Sequence, residues 1–420
     1  MTEVEWPQSD APECPVAHSA EALHGPRMRQ DPKVLYREMR RAHGPVAPIL
    51  LDGDMPAWLV LGYREVHQVS SDPELFGKNS RRWNQWDRIP PDWPLWPWIG
   101  VEPSVLVTEG AEHERRAGAV SDALSALDQF ELWDRCERIA DELIDSFAGS
   151  GRADLMADYA DRIPLLAVTQ ACGMPEPQSR QLASDLATVI DGAAAAMTAY
   201  ERLAAAARDL RRAKLERPGP DLASRLLAHP AGLTESEFVQ DLLVVLTAGQ
   251  QPTANWIGNT LRLMLTDDRF ALTLSGGRRS VSDALNEVLW EDTPSTNVIG
   301  RWAVRDTRLG GRSIKAGDLL VLGLSAANTD PQVWPERDSA RTAGNHAHLA
   351  YGYGEHGCPF PAPEIAEVIA KSTIEVLLDR LPDMLLAVDP GTLVWRESAW
   401  IRGLEALPVR FTPTYARSMR

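Results

Sequence analysis

The sequence predicts a mainly α-helical protein with a minor β region. Most of segment 110–290 spaces its apolar residues as helices do, whereas only short alternating stretches predict strands. Thr234 and Glu237 form a capping-box pattern, which predicts a long helix that begins there and ends near Asp267. The 420 residues of the chain are enough for a large hydrophobic core.

The first predicted elements follow an irregular N-terminal arm, residues 1–30. We expect residues 31–420 to form a single domain. Two apolar stretches, Val46 to Asp52 and Ala57 to Gly62, flank the turn signal Gly53-Asp54 and predict a β-hairpin.

Further strands are predicted towards the C-terminus. Short strands between Val304 and Leu322 are separated by turns at Gly310-Gly311 and Ala316-Gly317. A helix is predicted from about Pro363 to Leu381, and residues 391–420 alternate enough to predict another hairpin.

Composition and charge restrict the class of protein. A net charge of −16 argues against nonspecific nucleic-acid binding, and 44% hydrophobic residues are typical of a globular protein. No apolar run approaches the roughly 20 residues that span a bilayer, and the acidic segment 1–10 shows no signal peptide. The cysteines have neither disulfide nor zinc spacing, which predicts a cytoplasmic protein. They are Cys14, Cys136, Cys172 and Cys358.

The segment Tyr351–Phe360, YGYGEHGCPF, carries the strongest functional signal. Its three glycines allow sharp turns and let the backbone lie close to a flat ligand. Cys358 ends the glycine-rich stretch, and a thiolate can bind haem iron as an axial ligand. The pattern therefore indicates a loop that binds iron through one cysteine.

Two other interpretations of this segment stay open at this point. The glycines also spell G-x-G-x-x-G, the pattern of dinucleotide-binding loops. That motif requires an immediate helix, which Pro359 and Pro361 interrupt. Cys358 could also be a buried structural cysteine in a turn.

The segment resembles the haem-binding loop of the cytochrome P450 family, Phe-Gly-x-Gly-x-His-x-Cys-x-Gly. Tyr351 stands in place of the Phe, and Phe360 replaces the last Gly. The resemblance covers roughly residues 30–415 and implies that family's triangular fold, haem b as cofactor and Cys358 as axial ligand, with Tyr351 and Gly352 beside the haem. The matching residues are Gly352, Gly354, His356 and Cys358.

The resemblance also implies which residues bind the haem propionates. Arg301 lies where the family places a propionate-binding arginine, and His356 is a second donor. His113 matches the histidine of a helix that crosses the haem edge. The family adds an arginine four residues later, where this chain has Ala117, so Arg116 is the candidate substitute. The alternative for Arg116 is a solvated helix face.

The helix on the oxygen-binding side departs from the family pattern Ala/Gly-Gly-x-Asp/Glu-Thr, whose acid and alcohol deliver protons. This chain reads AGQQPT at 248–253, so the acid becomes Gln251 and the alcohol becomes Pro252. Gln251 cannot act as a general acid near neutral pH, and Pro252 should break the helical hydrogen-bond ladder. Thr253 offers a hydroxyl about 100° further around the helix. The candidate catalytic residues are Ala248, Gly249, Gln251 and Thr253.

A second departure replaces the family's Glu-x-x-Arg by Glu287-Val288-Leu289-Trp290. This variant resembles an atypical subgroup from streptomycete-type actinomycetes. Because an unpaired buried carboxylate is costly, we expect Glu287 to pair with Arg337 or with the indole N–H of Trp290.

Aromatic residues are candidates for the substrate pocket. Five tryptophans lie where the family places a loop over the pocket, and they either line it or pack that loop onto the body. The Ala-rich segment Ala193 to Ala207 resembles the mobile lid, and Trp395 and Trp400 are candidates for the pocket floor. The five tryptophans are Trp83, Trp86, Trp93, Trp96 and Trp98.

The leading hypothesis is a monooxygenase that oxidises a small organic substrate with O2. The resemblance implies electrons from a ferredoxin and its reductase, since no flavin or iron–sulfur motif is present. We expect a basic docking surface that includes Arg115, Arg116 and Arg341. The alternatives are a peroxide-driven haem enzyme and a regulatory haem protein without turnover.

Overall fold

Helices dominate the computed structural model, which describes residues 20–23, 27, 32–100, 103–175, 179–191, 195–267, 281–333 and 344–415. None of the helices in these ranges is long and apolar enough to span a bilayer. The helices are α1 (Pro32–His43), α2 (Tyr63–Ser71), α3 (Trp96–Ile99), α4 (Gly110–Ser125), α5 (Gln129–Phe147), α6 (Arg162–Ala171), α7 (Ser179–Ile190), α8 (Ala196–Glu216), α9 (Leu222–Ala228), α10 (Glu235–Thr266), α11 (Val281–Glu291), α12 (Leu324–Asn328) and α13 (Ala362–Arg380).

The strands form a six-stranded sheet of order β1-β2-β3-β9-β6-β4, a three-stranded sheet of order β10-β11-β5 and the pair β7-β8. In the large sheet, β9 is parallel to β3 and antiparallel to β6, and β4 is antiparallel to β6. The strands are β1 (Glu21–Ala22), β2 (Val46–Leu51), β3 (Met55–Val60), β4 (Phe76–Gly77), β5 (Arg152–Asp154), β6 (Asn297–Ala303), β7 (Thr307–Leu309), β8 (Arg312–Ile314), β9 (Leu319–Gly323), β10 (Leu385–Leu386) and β11 (Pro408–Arg410).

Local signals in the sequence locate several of these elements correctly. The hairpin around Gly53 is confirmed, since β2 and β3 pair antiparallel with Val46 opposite Val60. The capping box is confirmed as well, because the Thr234 side chain accepts from the Glu237 N–H and the Glu237 side chain accepts in return. The turns at Gly310-Gly311 and Gly317 separate β7, β8 and β9 as predicted.

The C-terminal hairpin is confirmed as a short antiparallel pairing, but the strand of this segment, β11, pairs elsewhere. β11 pairs antiparallel with β5 and with β10, neither of which belongs to residues 391–420. Within that segment, Trp395 and Leu404 form an antiparallel bridge, and the Arg396 and Glu405 N–H groups donate to the Gly403 and Val394 carbonyls, each at 2.9 Å. The alternation was visible in the sequence, but the pairing partners of the strand are distant in the chain.

The predicted break at Pro252 is wrong, because α10 runs through this proline. An internal proline removes one hydrogen bond and costs about 3 kcal/mol. Helix α10 buries residues on both sides of Pro252, among them Leu246 before it and Ile257 and Leu261 after it. Their burial outweighs the cost of the proline, since each fully buried aliphatic side chain contributes about 1.5–3 kcal/mol.

Helix α10 joins two hydrophobic clusters. Its first half packs with α4, α7, α8 and α9 through residues such as Phe238 and Leu242. Its second half packs with α5, α11 and α13 through residues such as Trp256 and Leu261. Between the two halves lie the small residues Ala248 and Gly249, so the helix crosses a gap that its own side chains do not fill.

The Arg116 guanidinium links α4 to α10 through a buried ion pair. Its Nε donates to Asp241 Oδ2 at 2.9 Å, and its Nη2 donates to Asp241 Oδ1 at 2.6 Å. The two side chains are 1% and 0% exposed. This pair holds the start of α4 against the first half of α10.

Asp241→Asn is expected to destabilise the protein strongly, because it leaves the Arg116 charge buried without its carboxylate. We expect a loss of about 3 kcal/mol in the free energy of unfolding, measured by chemical denaturation. Asp209→Asn is the matched control, since Asp209 pairs with Arg212 on the surface at 66% and 73% exposure. An exposed pair contributes little, so equal losses in both variants would contradict this account.

Candidate functional site

A cavity of about 340 Å³ occupies the gap beneath α10. Its walls come from the middle of α10, the N-terminal half of α13, α4, β6 and the loop that contains Cys358. Most lining side chains are aliphatic, so the polar groups that do face the cavity are conspicuous. Those discussed below are Lys78, His113, Thr253, Arg301, His356 and Cys358.

The glycines of the Cys358 loop are required by its conformation. Gly352 and Gly354 have positive φ of 71° and 75°, which favours glycine. A Cβ on Gly354 would overlap the main-chain carbonyl of Ser70. The Cys358 N–H donates to the Tyr351 carbonyl at 2.8 Å, which closes the loop and turns the cysteine towards the cavity.

The Cys358 thiol faces the cavity rather than a protein partner. Of the cysteines in the described ranges, Cys136 and Cys172 are buried and Cys358 is exposed. Enclosure by the surrounding protein raises the pKa of Cys358 to about 12, with Glu364 adding to the effect. A thiol of this kind becomes a thiolate when a metal ion binds it, because the cation replaces the proton.

Arg301 and His356 carry buried nitrogens without hydrogen-bond partners. The Nε and Nη1 atoms of Arg301 and both ring nitrogens of His356 are buried and make no hydrogen bond. The His356 Nε2 lies 3.0 Å from a Glu355 carboxylate oxygen, but not in hydrogen-bond geometry. Burial lowers the pKa of Arg301 to about 10. Burial and the nearby Lys78, Arg301 and His113 lower the pKa of His356 to about 2.

His113 lies at the cavity edge, but its ring nitrogens face main-chain carbonyls. Its Nδ1 is 3.0 Å from the Val105 oxygen and its Nε2 is 3.1 Å from the Glu355 oxygen. The His113 and His356 rings are 3.9 Å apart. His113 therefore joins α4 to the Cys358 loop.

Arg116 is not brought to the cavity. Its guanidinium is held by Asp241 and Glu112, and it is not among the lining residues. The side chain is 1% exposed, so it contributes neither to a solvated face nor to a docking surface. Ala117, at the position where the family has an arginine, does line the cavity.

Sequence reasoning missed Lys78. This lysine follows β4, is buried and lines the same end of the cavity as Arg301. Burial and the Arg301 charge lower the pKa of Lys78 well below its usual range. No motif marks it, and only the pairing of β4 with the distant β6 brings it to the site.

The predicted catalytic residues of α10 divide into two groups. Ala248, Gly249 and Thr253 line the cavity, as does Pro252. Gln251 does not, because its amide faces Asp161 Oδ1 at 3.4 Å and Asn255 Oδ1 at 3.3 Å. Burial raises the pKa of Asp161 to about 6.

The Thr253 hydroxyl differs from the other threonine hydroxyls of α10. Those of Thr247, Thr260 and Thr266 donate to the carbonyl four residues earlier, at 2.7–2.8 Å. Within the described part of the chain, Thr253 makes no such bond. Its hydroxyl is therefore available to a ligand in the cavity.

The residues around Glu287 are arranged differently from our expectation. The indole N–H of Trp290 donates to the Asn345 carbonyl at 2.9 Å, not to Glu287. Glu287 is buried and has an interaction partner. Arg337 lies outside the described residues, so its pairing with Glu287 stays a prediction. Cys14 and Arg341 lie outside the described residues as well.

The five tryptophans pack their loop onto the body of the protein, the second of the two alternatives, and Trp395 and Trp400 do not form the pocket floor. None of the seven tryptophans proposed for the pocket is among the lining residues. Trp83, Trp93 and Trp400 belong to the core beside β2 and β3, and Trp395 lies under the Arg402 guanidinium at 3.5 Å. The structure describes the Ala-rich segment from residue 195 onwards. Its Ala199 and Ala204 are buried in the hydrophobic cluster that contains the first half of α10.

These residues suit haem b, because buried nitrogens of Arg301 and His356 lack hydrogen-bond partners and the Cys358 thiol faces the same cavity. Haem b is a flat, largely apolar molecule with two propionate carboxylates. It requires an apolar cavity with basic side chains at one end, and Arg301 and Lys78 are these side chains. Cys358 faces the same cavity from the proximal loop. The smallness of Ala248 and Gly249 keeps the opposite face open.

Comparison with known proteins supports this assignment. No protein-family model matches the chain. It is 30% identical to cytochrome P450 107B1 of Saccharopolyspora erythraea over 91% of this chain and 95% of that protein. It is also 30% identical to cytochrome P450 monooxygenase PikC of Streptomyces venezuelae over 91% of both chains.

A solved structure, CYP154C4 from Streptomyces sp. W2061, superposes with a TM-score of 0.84 at 25% identity, over 93% of this chain and 97% of that one. The mainly helical fold with a minor sheet is thus that of known P450 structures, as predicted. With the haem-binding loop, the cationic rim and these relatives taken together, the chain belongs to the cytochrome P450 family of haem-thiolate oxidoreductases.

Proposed function

We propose that this protein is a monooxygenase that inserts one oxygen atom of O2 into a small apolar substrate, with electrons from a ferredoxin. The observation that carries the proposal is the unbonded Thr253 hydroxyl in an otherwise apolar distal wall. Haem b with a thiolate ligand supplies the oxygen-activating chemistry when it is bound. The chain's own residues bind the group, exclude water and donate protons.

Cys358 is the proposed axial ligand of the haem. Arg301 is the proposed first donor to a propionate, because two of its nitrogens are buried and unpartnered. His356 offers one further N–H donor at the same end, because its neutral ring carries a single N–H. His113 is proposed to position the Cys358 loop through the Glu355 carbonyl. Tyr351 and Gly352 form the wall beside the sulfur.

The substrate class follows from the lining of the cavity. Val244, Val245, Val298 and Ile299 present aliphatic side chains, and Ser295 adds a hydroxyl. Among the described lining residues, the one carboxylate is Glu355 in the Cys358 loop, and none lies on α10 or β6. An apolar substrate with at most a few hydrogen-bonding groups would suit these walls, because a charged group would be desolvated without a partner.

Thr253 is the proposed proton donor in place of the missing alcohol at 252. Its hydroxyl can donate to a group in the cavity and accept from water. Gln251 serves behind the helix, where it binds Asp161 and Asn255. It is thus proposed to hold α10 in place rather than to transfer protons.

A ferredoxin and its reductase are the proposed electron source in the cytoplasm. Phe360, two residues after Cys358, is 67% exposed and offers an apolar contact for a protein partner near the sulfur. Arg115 is the remaining described cation of the expected docking surface, although it already pairs with Glu237.

Peroxide-driven oxidation is the second candidate function. Pro252 occupies the cavity-facing position of the family's alcohol, and Gln251 faces away from the cavity. Peroxide already carries the electrons and protons that this pair helps to deliver, so an enzyme without the pair is suited to it.

The two candidates are distinguished by the source of the oxygen atom. Apolar compounds such as steroids and fatty acids are first screened for binding by the change in the haem spectrum. A bound compound is then incubated with NADPH, reductase and ferredoxin under 18O2, and separately with H2O2. We expect labelled product in the first mixture. Product from H2O2 alone would favour the peroxide route, and bound compound without product in either mixture would favour a regulatory haem protein.

Thr253→Val is expected to reduce the fraction of NADPH electrons found in product by about tenfold, which corresponds to the loss of one hydrogen bond from the proton-donating hydroxyl. Hydroxyl removal leaves the shape of the wall nearly unchanged. Thr247→Val is the matched control, since that hydroxyl bonds Leu243 within the same helix and does not line the cavity. Equal coupling in wild type and Thr253→Val would show that another group donates the proton.

A further inference from the structure

The cavity holds fewer free cations than the family pattern supplies. Arg116 is committed to Asp241, and Ala117 replaces the expected arginine. The ring nitrogens of His113 lie against two carbonyls. Among the described residues that line the cavity, Arg301 is therefore the arginine available to two propionates, and each propionate left without a partner would be costly to bury.

We infer that Lys78 binds the second haem propionate and replaces the arginine that is missing at position 117. This inference rests on the haem assignment of the proposed function. Lys78 belongs to the short segment after β4, an element that carries none of the residues expected from the resemblance.

The register of the sheet puts Lys78 beside Arg301. Gly77 lies opposite Trp302 in the antiparallel pair of β4 and β6. Lys78 directly follows Gly77 and Arg301 directly precedes Trp302, so the two residues are neighbours at the end of this strand pair. Both side chains accordingly line the cavity.

An irregularity in β6 makes room for the lysine. The pairing of β6 with β9 shifts between Val298 and Arg301, and Gly300 has a φ of 105°. A Cβ on Gly300 would stand 3.4 Å from the Lys78 Nζ atom. Any larger residue at 300 would thus have both an unfavourable backbone and a side chain against the ammonium group.

Glu109 fixes the backbone from which Lys78 extends. Its Oε1 atom accepts from the N–H groups of Lys78 and Asn79, at 2.5 and 2.9 Å. The same carboxylate binds Arg82 at 2.6 Å. Because Glu109 is occupied by these donors, it holds the lysine in place without taking its ammonium group as a partner.

The Lys78 ammonium has no partner among the described residues, and the lysine is 6% exposed. A buried ammonium beside a buried guanidinium is unfavourable, since two like charges repel and both lose hydration. Burial accordingly depresses the pKa of Lys78, with Arg301 adding to the effect. A carboxylate between the two cations removes both costs, and the haem carries two.

Lys78→Met tests this role, because methionine keeps the length of the side chain and removes the charge. In the purified holoenzyme, we expect haem transfer to excess apomyoglobin to become about tenfold faster, as for the loss of one charge-assisted hydrogen bond. The propionate-bending band in the resonance Raman spectrum should shift. Lys78→Arg should restore both signals. Lys315→Met is the matched control, since that lysine is 68% exposed.

The outcomes separate the role of Lys78 from the haem assignment itself. Wild-type transfer rates in Lys78→Met would overturn the inference and would mean that Lys78 meets only solvent ions. Faster transfer with an unchanged propionate band would overturn it too, because the lysine would then act only through packing. Wild-type protein that purifies without haem would overturn the proposed function first, and the inference with it.

Discussion

Two buried basic side chains, Arg301 and Lys78, face the same cavity, and neither the Lys78 ammonium nor the Nε and Nη1 atoms of Arg301 have a hydrogen-bond partner among the described residues. The rest of the site depends on these unsatisfied donors, since their burial is costly and an anionic ligand would satisfy them. Cys358 determines what kind of ligand binds, because its thiol faces the same cavity from the loop before α13 and can coordinate a metal ion. A flat iron complex with carboxylates at one edge meets both requirements at once.

Helix α10 creates the space for this ligand. Its halves are fixed in separate hydrophobic clusters, so the middle can carry Ala248, Gly249 and Pro252 without loss of the helix. Thr253 lies in the same stretch and keeps a free hydroxyl, whereas the other threonines of the helix bond their own backbone. Structural stability and the chemistry of the site are thus assigned to different parts of one helix.

The sequence predicts the parts of the site that depend on local geometry. Gly352 and Gly354 have the positive φ that the motif requires, and Thr234 caps the helix that its pattern predicts. Prediction from the sequence fails where the position of a side chain depends on a residue that is distant in the chain. Arg116 forms an ion pair with Asp241, and Lys78 lies at the cavity only because β4 pairs with β6. Pro252 misleads for the same reason, since burial elsewhere in α10 offsets its local cost.

The reduced, carbon-monoxide-bound difference spectrum of the purified protein tests the central claim most directly. Thiolate coordination by Cys358 predicts the strongly red-shifted Soret band that distinguishes these proteins from histidine-ligated haem proteins, and Cys358→His should abolish that band. A band at the position typical of neutral thiol or histidine ligation in the wild type would contradict the account. It would mean that the cavity binds haem without the ligand on which the proposed chemistry depends.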